Sequence, residues 1–302
     1  MKQGNKMSAE KENEKDTLGQ RMKEYEKIWN SRVLDLTKPI YARIDGRHFS
    51  SLTKNFGYPY SDLNDYPVEK RHNKFYGDGF FKLMQNVAKA LLDEFDADIV
   101  ETHSDEISLG WLDGRKIPFH GEYFKLVSNM ASYASSIFMK FVWEDVNRES
   151  RDEEYGADYV SMVIAEHGLI PSFDCRILNV PDVVELTNCF VWRQNDCVRG
   201  TINQYAQCWF SHNELHGKTI NDRLQMLEDT GHGDYLKSDK FEKIKLGSFF
   251  KKEPVVLPID EKYKKYHQKE TTMIRHQIVQ IYPGRLAPIV NKTECLFGED
   301  GK

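Results

Sequence analysis

The run Pro39-Ile40-Tyr41-Ala42-Arg43-Ile44, which has little polarity to offer solvent, stops at Asp45-Gly46. A segment of that kind suits a central position in a sheet, covered on both faces. Ala97 to Thr102 and Ile107 to Trp111 are two further short runs joined by His103-Ser104-Asp105-Glu106, and they read as a β-hairpin. Sixty residues separate Asp45 from Asp105. With the second hairpin strand beside the first strand, as in a β-α-β-β-α-β ferredoxin-like layout, the two aspartates meet at one edge. A carboxylate from a strand end and another from a nearby hairpin can hold Mg²⁺ against a nucleotide triphosphate, because that hard cation takes oxygen ligands and keeps part of its water shell.

Gly46 lets the backbone approach a ligand closely, and the amides of Arg47, His48, Phe49 and Ser50 can point at phosphate oxygens where a helix or tight turn begins. The stretch fits equally an ordinary strand-to-helix turn with Asp45 as its cap. Ser104 adds a hydroxyl beside the acidic turn, although acidic pairs are also common in surface turns.

The rest of the chain supplies helices to cover such a sheet. Met1 to about Asp16, dense in Lys and Glu, reads as a disordered lead-in, and Leu18, Met22, Tyr25 and Trp29 then recur at helical spacing behind Thr17 as a cap. Tyr58 to Glu69 is a loop. Arg71 to Phe95 carries Phe80, Leu83, Met84, Val87, Leu91 and Leu92 on one face of a long helix. Glu122 to Phe141 gives a second helix. Lys125 in its first turns is placed either to reach a triphosphate or to solvate a helix face. A charged break spans Asn147 to Gly156, Phe173 to Val180 alternates like a last strand, and Asp182 opens a helix that runs to Phe210.

Composition limits the class. A chain of 302 residues with 40% hydrophobic content can bury one large core or two modest ones. The five cysteines form no C-x-x-C pair, no secretory signal leads the chain, and no run approaches membrane-spanning length, so a reducing cytoplasm is expected. A net charge of -5 argues against indiscriminate coating of nucleic acid, yet Gly231 to Arg275 carries eleven Lys plus Arg against seven Asp plus Glu, with Phe249, Phe250, Tyr263 and Tyr266 interleaved. That stretch reads either as a solvated surface or as an RNA contact. His212 and His216 sit at i and i+4 without a third ligand nearby, which favours packing or RNA phosphate contact over a zinc site, and Cys197 reads as a buried thiol.

Several stretches together carry a resemblance: Leu18 to Glu26, the Arg43 to Phe49 turn, Ser104-Asp105-Glu106, Phe173-Asp174-Cys175-Arg176, Trp192-Arg193-Gln194-Asn195-Asp196, and Phe210 to Lys218. In this order they resemble the tRNA-His guanylyltransferase superfamily, and more closely its bacterial and phage like-protein branch. The resemblance implies an α+β fold with a ferredoxin-like polymerase palm at residues 17–215, after a lead-in at 1–16 and before a helical or extended C-terminal extension at 216–302 with possible RNA contact. It implies a 3′-to-5′ nucleotidyltransferase that repairs the 5′ end of tRNA against the opposite strand of the acceptor stem, using GTP, ATP and other NTPs. Asp45, the Gly46 carbonyl and Asp105 are then the ligands of two Mg²⁺ ions. The turn from Asp45 to Ser50, with Ser104 and Asp105, holds the triphosphate, Lys125 and less directly Lys54 and Arg43 screen it, and Glu106 orients the catalytic aspartates. A homotetramer is implied as well.

Two departures bear on the activity. Eukaryotic members of that family carry a His-Ile-Asn-Asn run where this chain has Val198-Arg199-Gly200-Thr201, which favours templated repair over addition of a single G to tRNA-His. The basic residue common before the proline of the loop after the first turn is replaced by Tyr58. A nucleotidyl cyclase, which shares the palm, and a catalytically idle RNA-binding protein are the competing readings.

Overall fold

A computed structural model describes residues 19–23, 25, 32–49, 78–149, 170–259 and 272–298. The expectations for the lead-in, for the loop at 58–69, for the first turn of the helix at 71–77, and for Ser50 and Lys54 lie outside the described residues. Residues 19–23 are helical, and Met22 and Tyr25 are exposed there.

Strand β1 (Ile40–Arg47), helix α1 (Asp78–Glu94), strands β2 (Ile99–His103) and β3 (Glu106–Trp111), helix α2 (Tyr123–Glu149) and strand β4 (Ser172–Asn179) follow one another in the β-α-β-β-α-β order. They are followed by α3 (Val183–Trp209), α4 (Ile220–Asp229), α5 (Asp239–Leu246), β5 (Ser248–Pro258), β6 (Thr272–Ile281) and α6 (Lys292–Phe297). One six-stranded sheet runs β4-β1-β3-β2-β5-β6, antiparallel throughout. β1 is an interior strand paired on both edges, and its register sets Asp45 opposite Glu106 on β3 and Asp174 on β4. Helix α2 continues to Glu149, beyond the expected start of the charged break.

Side chains alternate across a strand, so β1 serves two different layers. Ile40, Ala42 and Ile44 share a buried cluster with Ile107 and Leu109 of β3, Met84, Val87 and Leu91 of α1, and Leu126, Met130 and Phe138 of α2. Each such fully buried Ile, Leu, Val, Met or Phe side chain contributes about 1.5–3 kcal/mol. Tyr41, Arg43 and Asp45 face the other way, on the side that α3 covers. Asp182 starts α3 by accepting a hydrogen bond from the Glu185 amide, and Leu186, Phe190, Arg193, Gln194 and Cys197 are its buried face. Gly110 lets the helix sit down on the strands, since a Cβ there would stand 3.0 Å from the Phe190 ring.

The chain after residue 215 continues the same sheet. β5 pairs with β2 through Ser248–Lys251, and the β5–β6 ladder then runs on from Phe249↔Ile281 to Pro258↔Thr272 as a two-stranded ribbon. Leu286, Leu296 and Phe297 return to share a buried cluster with Tyr41, Ile99 and Phe190. Among the described residues no helix is long and apolar enough to cross a membrane.

Candidate active site

The end of β1 and the β2–β3 turn are pressed together. The Gly46 amide donates to the Asp105 carbonyl at 3.0 Å. A Cβ on Gly46 would lie 2.5 Å from Phe49 Cδ2 and 2.9 Å from Asp105 Cβ, so only glycine allows this approach. His48 takes a left-handed φ of 59° to turn the chain, and Phe49 anchors the turn in the core against Phe80, Phe138 and Phe173 at centroid separations of 6.2, 5.3 and 4.9 Å. Across the gap, Ser104 has φ 51°, and its Oγ donates to Asp105 Oδ1 at 2.9 Å. Asp45, Ser104 and Asp105 thereby line one cavity of about 290 Å³, closed by Phe80 and Phe81 of α1 and by Arg193, Cys197 and Thr201 of α3.

Two sets of carboxylates meet here in opposite electrostatic states. Glu106 is gripped at both oxygens: Arg193 Nε donates to Oε1 at 2.5 Å and Nη2 to Oε2 at 2.6 Å. Arg43 stands 3.9 Å away and His103 Nε2 4.0 Å away. His103 Nδ1 is 2.6 Å from Glu101 Oε1. Burial pulls the His103 imidazole down, but the charge and hydrogen bond of Glu101 and the charge of Glu106 carry it above its ordinary value. Burial likewise pushes the Glu106 carboxyl up, against the opposing pull of His103 and Arg193. The group Glu101, His103 and Glu106 has metal-ligating atoms within 4.8 Å of one another; Arg193 holds Glu106 and His103 holds one Glu101 oxygen, while buried Glu101 Oε2 has no hydrogen-bond partner.

Asp45 and Asp105 are different. Among the described residues no Lys, Arg or His forms an ion pair with either. Burial pushes the Asp105 carboxyl above its ordinary value, and the negative charge of Asp45 adds to that shift. Asp45 and Asp105, side by side at the cavity with no ion pair to a protein cation, fit an oxygen-ligated divalent cation.

Of the residues singled out in the sequence, Asp45, Gly46, Ser104, Asp105 and Glu106 come together. Arg47 and His48 are exposed at the turn, while the Phe49 ring is a core anchor. Lys125 stands elsewhere: its ammonium lies 3.8 Å from Glu122 and over the Phe119 ring at 5.2 Å. The start of α2 abuts the chain leading into β1, where Tyr123 N donates to Arg32 O and Leu34 N to Gly121 O. β3 runs away from Asp105, so the helix that follows it begins at the opposite end of the sheet. His212 and His216 are exposed beside a second cavity of about 550 Å³, their rings 6.2 Å apart. Cys197 is a buried thiol whose Sγ is 3.4 Å from the Ile244 carbonyl.

Sequence reasoning gave no role to Arg193, Gln194, Glu101 or His103. Gln194 is a buried clamp that donates to the carbonyls of Leu246 and Gly284 and accepts from the Leu286 amide at 2.7 Å. The spacing of Arg193 and Gln194 on the buried face of α3 is a signal for both, because a buried Arg or Gln on a helix needs a partner.

Comparison with known proteins bears on the family and the fold. Residues 19–181, just over half of the chain, match the family described as Thg1, tRNAHis guanylyltransferase. A tRNA(His) guanylyltransferase of Debaryomyces hansenii is 28% identical over 202 residues, 62% of this chain. The match spans 64% of that relative's own length. Uncharacterized protein R259 of Acanthamoeba polyphaga mimivirus is 24% identical over 229 residues, 71% of this chain and 70% of the relative. Among solved structures, a bacterial tRNA(His) guanylyltransferase-like protein in complex with ATP has a TM-score of 0.55 at 24% identity, covering 78% of this chain and 89% of its own. The Saccharomyces cerevisiae tRNA(His) guanylyltransferase has a TM-score of 0.51 at 19% identity, covering 72% and 87%. The shared fold is the palm type.

Proposed function

Because this chain belongs to the tRNA-His guanylyltransferase family, we propose that it is a 3′-to-5′ nucleotidyltransferase that rebuilds the 5′ end of tRNA against the opposite strand of the acceptor stem. The observation that carries this reading is the meeting of Asp45 and Asp105 at one cavity without an ion pair to a protein cation, next to Glu106, which Arg193 holds. In the reaction, the 3′-hydroxyl of an incoming nucleotide attacks the activated 5′ phosphorus of the tRNA, either a triphosphate or an adenylate. A new P–O bond forms as pyrophosphate or AMP leaves and the hydroxyl gives up its proton.

Asp45, Asp105 and the Gly46 carbonyl would hold two Mg²⁺ ions, which when bound lower the pKa of the attacking hydroxyl and neutralise charge on the leaving oxygen. Gly46, by its close fit against Asp105, keeps the two aspartates in register. The backbone from Arg47 to Ser50 takes phosphate oxygens, and Ser104 shares in holding the nucleotide. Arg193 fixes Glu106, which orients the floor of the cavity. Lys125, at the opposite end of the sheet within one chain, contributes phosphate contact only if a neighbouring subunit of a tetramer presents it.

Val198-Arg199-Gly200-Thr201 favours templated repair over single-G addition. Arg199 is occupied by Asp196 at 2.5 Å, and Gly200 leaves open space at the cavity wall. The protein works in the cytoplasm on GTP, ATP and other NTPs. The test is labelled-nucleotide addition to full-length and 5′-truncated tRNA transcripts, with each NTP supplied separately. Addition of only the complementary base to the truncated transcript, dependent on Mg²⁺ and lost in Asp105→Asn, is the expected result. Addition of G regardless of the opposing base replaces repair by guanylyl transfer, and cyclic product formed from NTP without RNA replaces both.

A further inference from the structure

The Trp192 indole is 53% exposed, and Arg193 and Arg43 approach its ring with guanidinium carbons 4.6 and 5.8 Å from the centroid. Isolated exposed aromatics are ordinary, and Trp143, at 64% exposure, is another in this chain. What sets Trp192 apart is its setting. Arg43 lies two residues before Asp45 on the same face of β1, and Arg176 is the cross-strand neighbour of Arg43 on β4. Arg176 is open to solvent, with Asp174 3.9 Å from it as the opposing charge. Arg47 is exposed at the end of the same strand. The edge of the sheet beside the catalytic turn therefore combines a half-open indole with two exposed guanidinium groups, those of Arg47 and Arg176, the combination that takes an unpaired base together with its phosphates.

Trp192 is not part of the cavity wall. At 3.6 residues per turn, Arg193, Cys197, Gly200, Thr201 and Gln204 form the flank of α3 that closes the cavity, and Trp192 falls on the adjoining flank towards β1 and β4. A free nucleotide and an RNA end can thus reach Asp45 from two sides of one helix. We infer that Trp192 is a stacking platform for a base of the RNA strand whose 5′ end lies at Asp45, with exposed Arg47 and Arg176 facing that strand's phosphates and the mostly buried Arg43 supporting the indole. The inference deepens the proposed function and rests on its RNA substrate.

The experiment measures equilibrium binding of a 5′-truncated tRNA transcript in EDTA, so that no turnover occurs, for wild type, Trp192→Ala and Trp192→Phe. GTP binding and sedimentation are measured on the same samples. Trp192→Ala is expected to bind RNA roughly 5- to 150-fold more weakly, and Trp192→Phe to retain most of the affinity. The indole fluorescence that Trp192→Phe removes is expected to be quenched by RNA and not by GTP alone. Unchanged RNA affinity in Trp192→Ala overturns the inference while leaving the family reading in place. So does full quenching by GTP, or a change in subunit assembly without a change in RNA binding. Wild-type protein that binds no tRNA overturns both.

Discussion

Arg193→Met tests how the cavity floor is held. The Arg193 and Glu106 side chains are 8% and 7% exposed, and the bond between them is bidentate. Removing one member of a buried pair strands the other, at a cost of about 3–5 kcal/mol. Arg43 at 3.9 Å and His103 at 4.0 Å remain beside Glu106 and place the loss at the low end, about 3 kcal/mol. For a chain of 302 residues that is a fall in Tm of about 5 °C. Glu106→Leu alone should cost less, because the freed guanidinium keeps Asp196 at 3.0 Å. The double variant Arg193→Met/Glu106→Leu should return to within about 1 kcal/mol of wild type, since an apolar pair of similar volume replaces a buried ion pair at little cost. Urea unfolding followed by circular dichroism, with equal m-values, measures all four proteins. A loss under about 1 kcal/mol in Arg193→Met, or a double variant no better than it, would refute the reasoning.

Asp105→Asn should abolish nucleotide addition and yet raise Tm at pH 7. The folded-state pKa lies above the ordinary 3.8, so the native protein holds this proton longer than the unfolded chain. The favourable contribution is present below the ordinary value and is lost as pH rises through the folded value. At neutral pH the charge is therefore a cost, and the advantage of Asn should vanish in acid. Scanning calorimetry at neutral and acid pH decides, and a less stable Asn variant at pH 7 contradicts the assignment. Gly46→Ala must push the Phe49 ring aside, so nucleotide addition and stability should fall together. Retention of full activity would show that the turn tolerates a side chain. Gln194→Leu should raise amide exchange at Leu286, whose N–H bonds the Gln194 side chain, and unchanged protection there removes the clamp.

Much of this arrangement was legible in local pattern. The apolar run before Asp45, the hairpin around Asp105 and the cap at Asp182 each follow from period and turn chemistry, and the ferredoxin-like order followed from placing β1 beside β3. The buried network was not legible, because Arg193 and Glu106 lie 87 residues apart and no short-range pattern joins them. Phe49 was read as part of a phosphate-binding turn because it sits in one, and only its three aromatic neighbours reveal an anchor. Lys125 needed topology: a charge at a helix start says nothing about which end of the sheet that start occupies. β6 was hidden by its many exposed positions, which give a two-stranded ribbon no clean alternation of polar and apolar residues.

The packing of Leu286, Leu296 and Phe297 against Tyr41 carries a consequence for biosynthesis. A nascent chain emerging from the ribosome displays β1 early, and the layer over Tyr41 is sealed only after Leu286, Leu296 and Phe297 have been made. Replacing Leu296 or Phe297 by a polar residue would leave an apolar scar beside α3, open to a protease that probes incompletely packed chains.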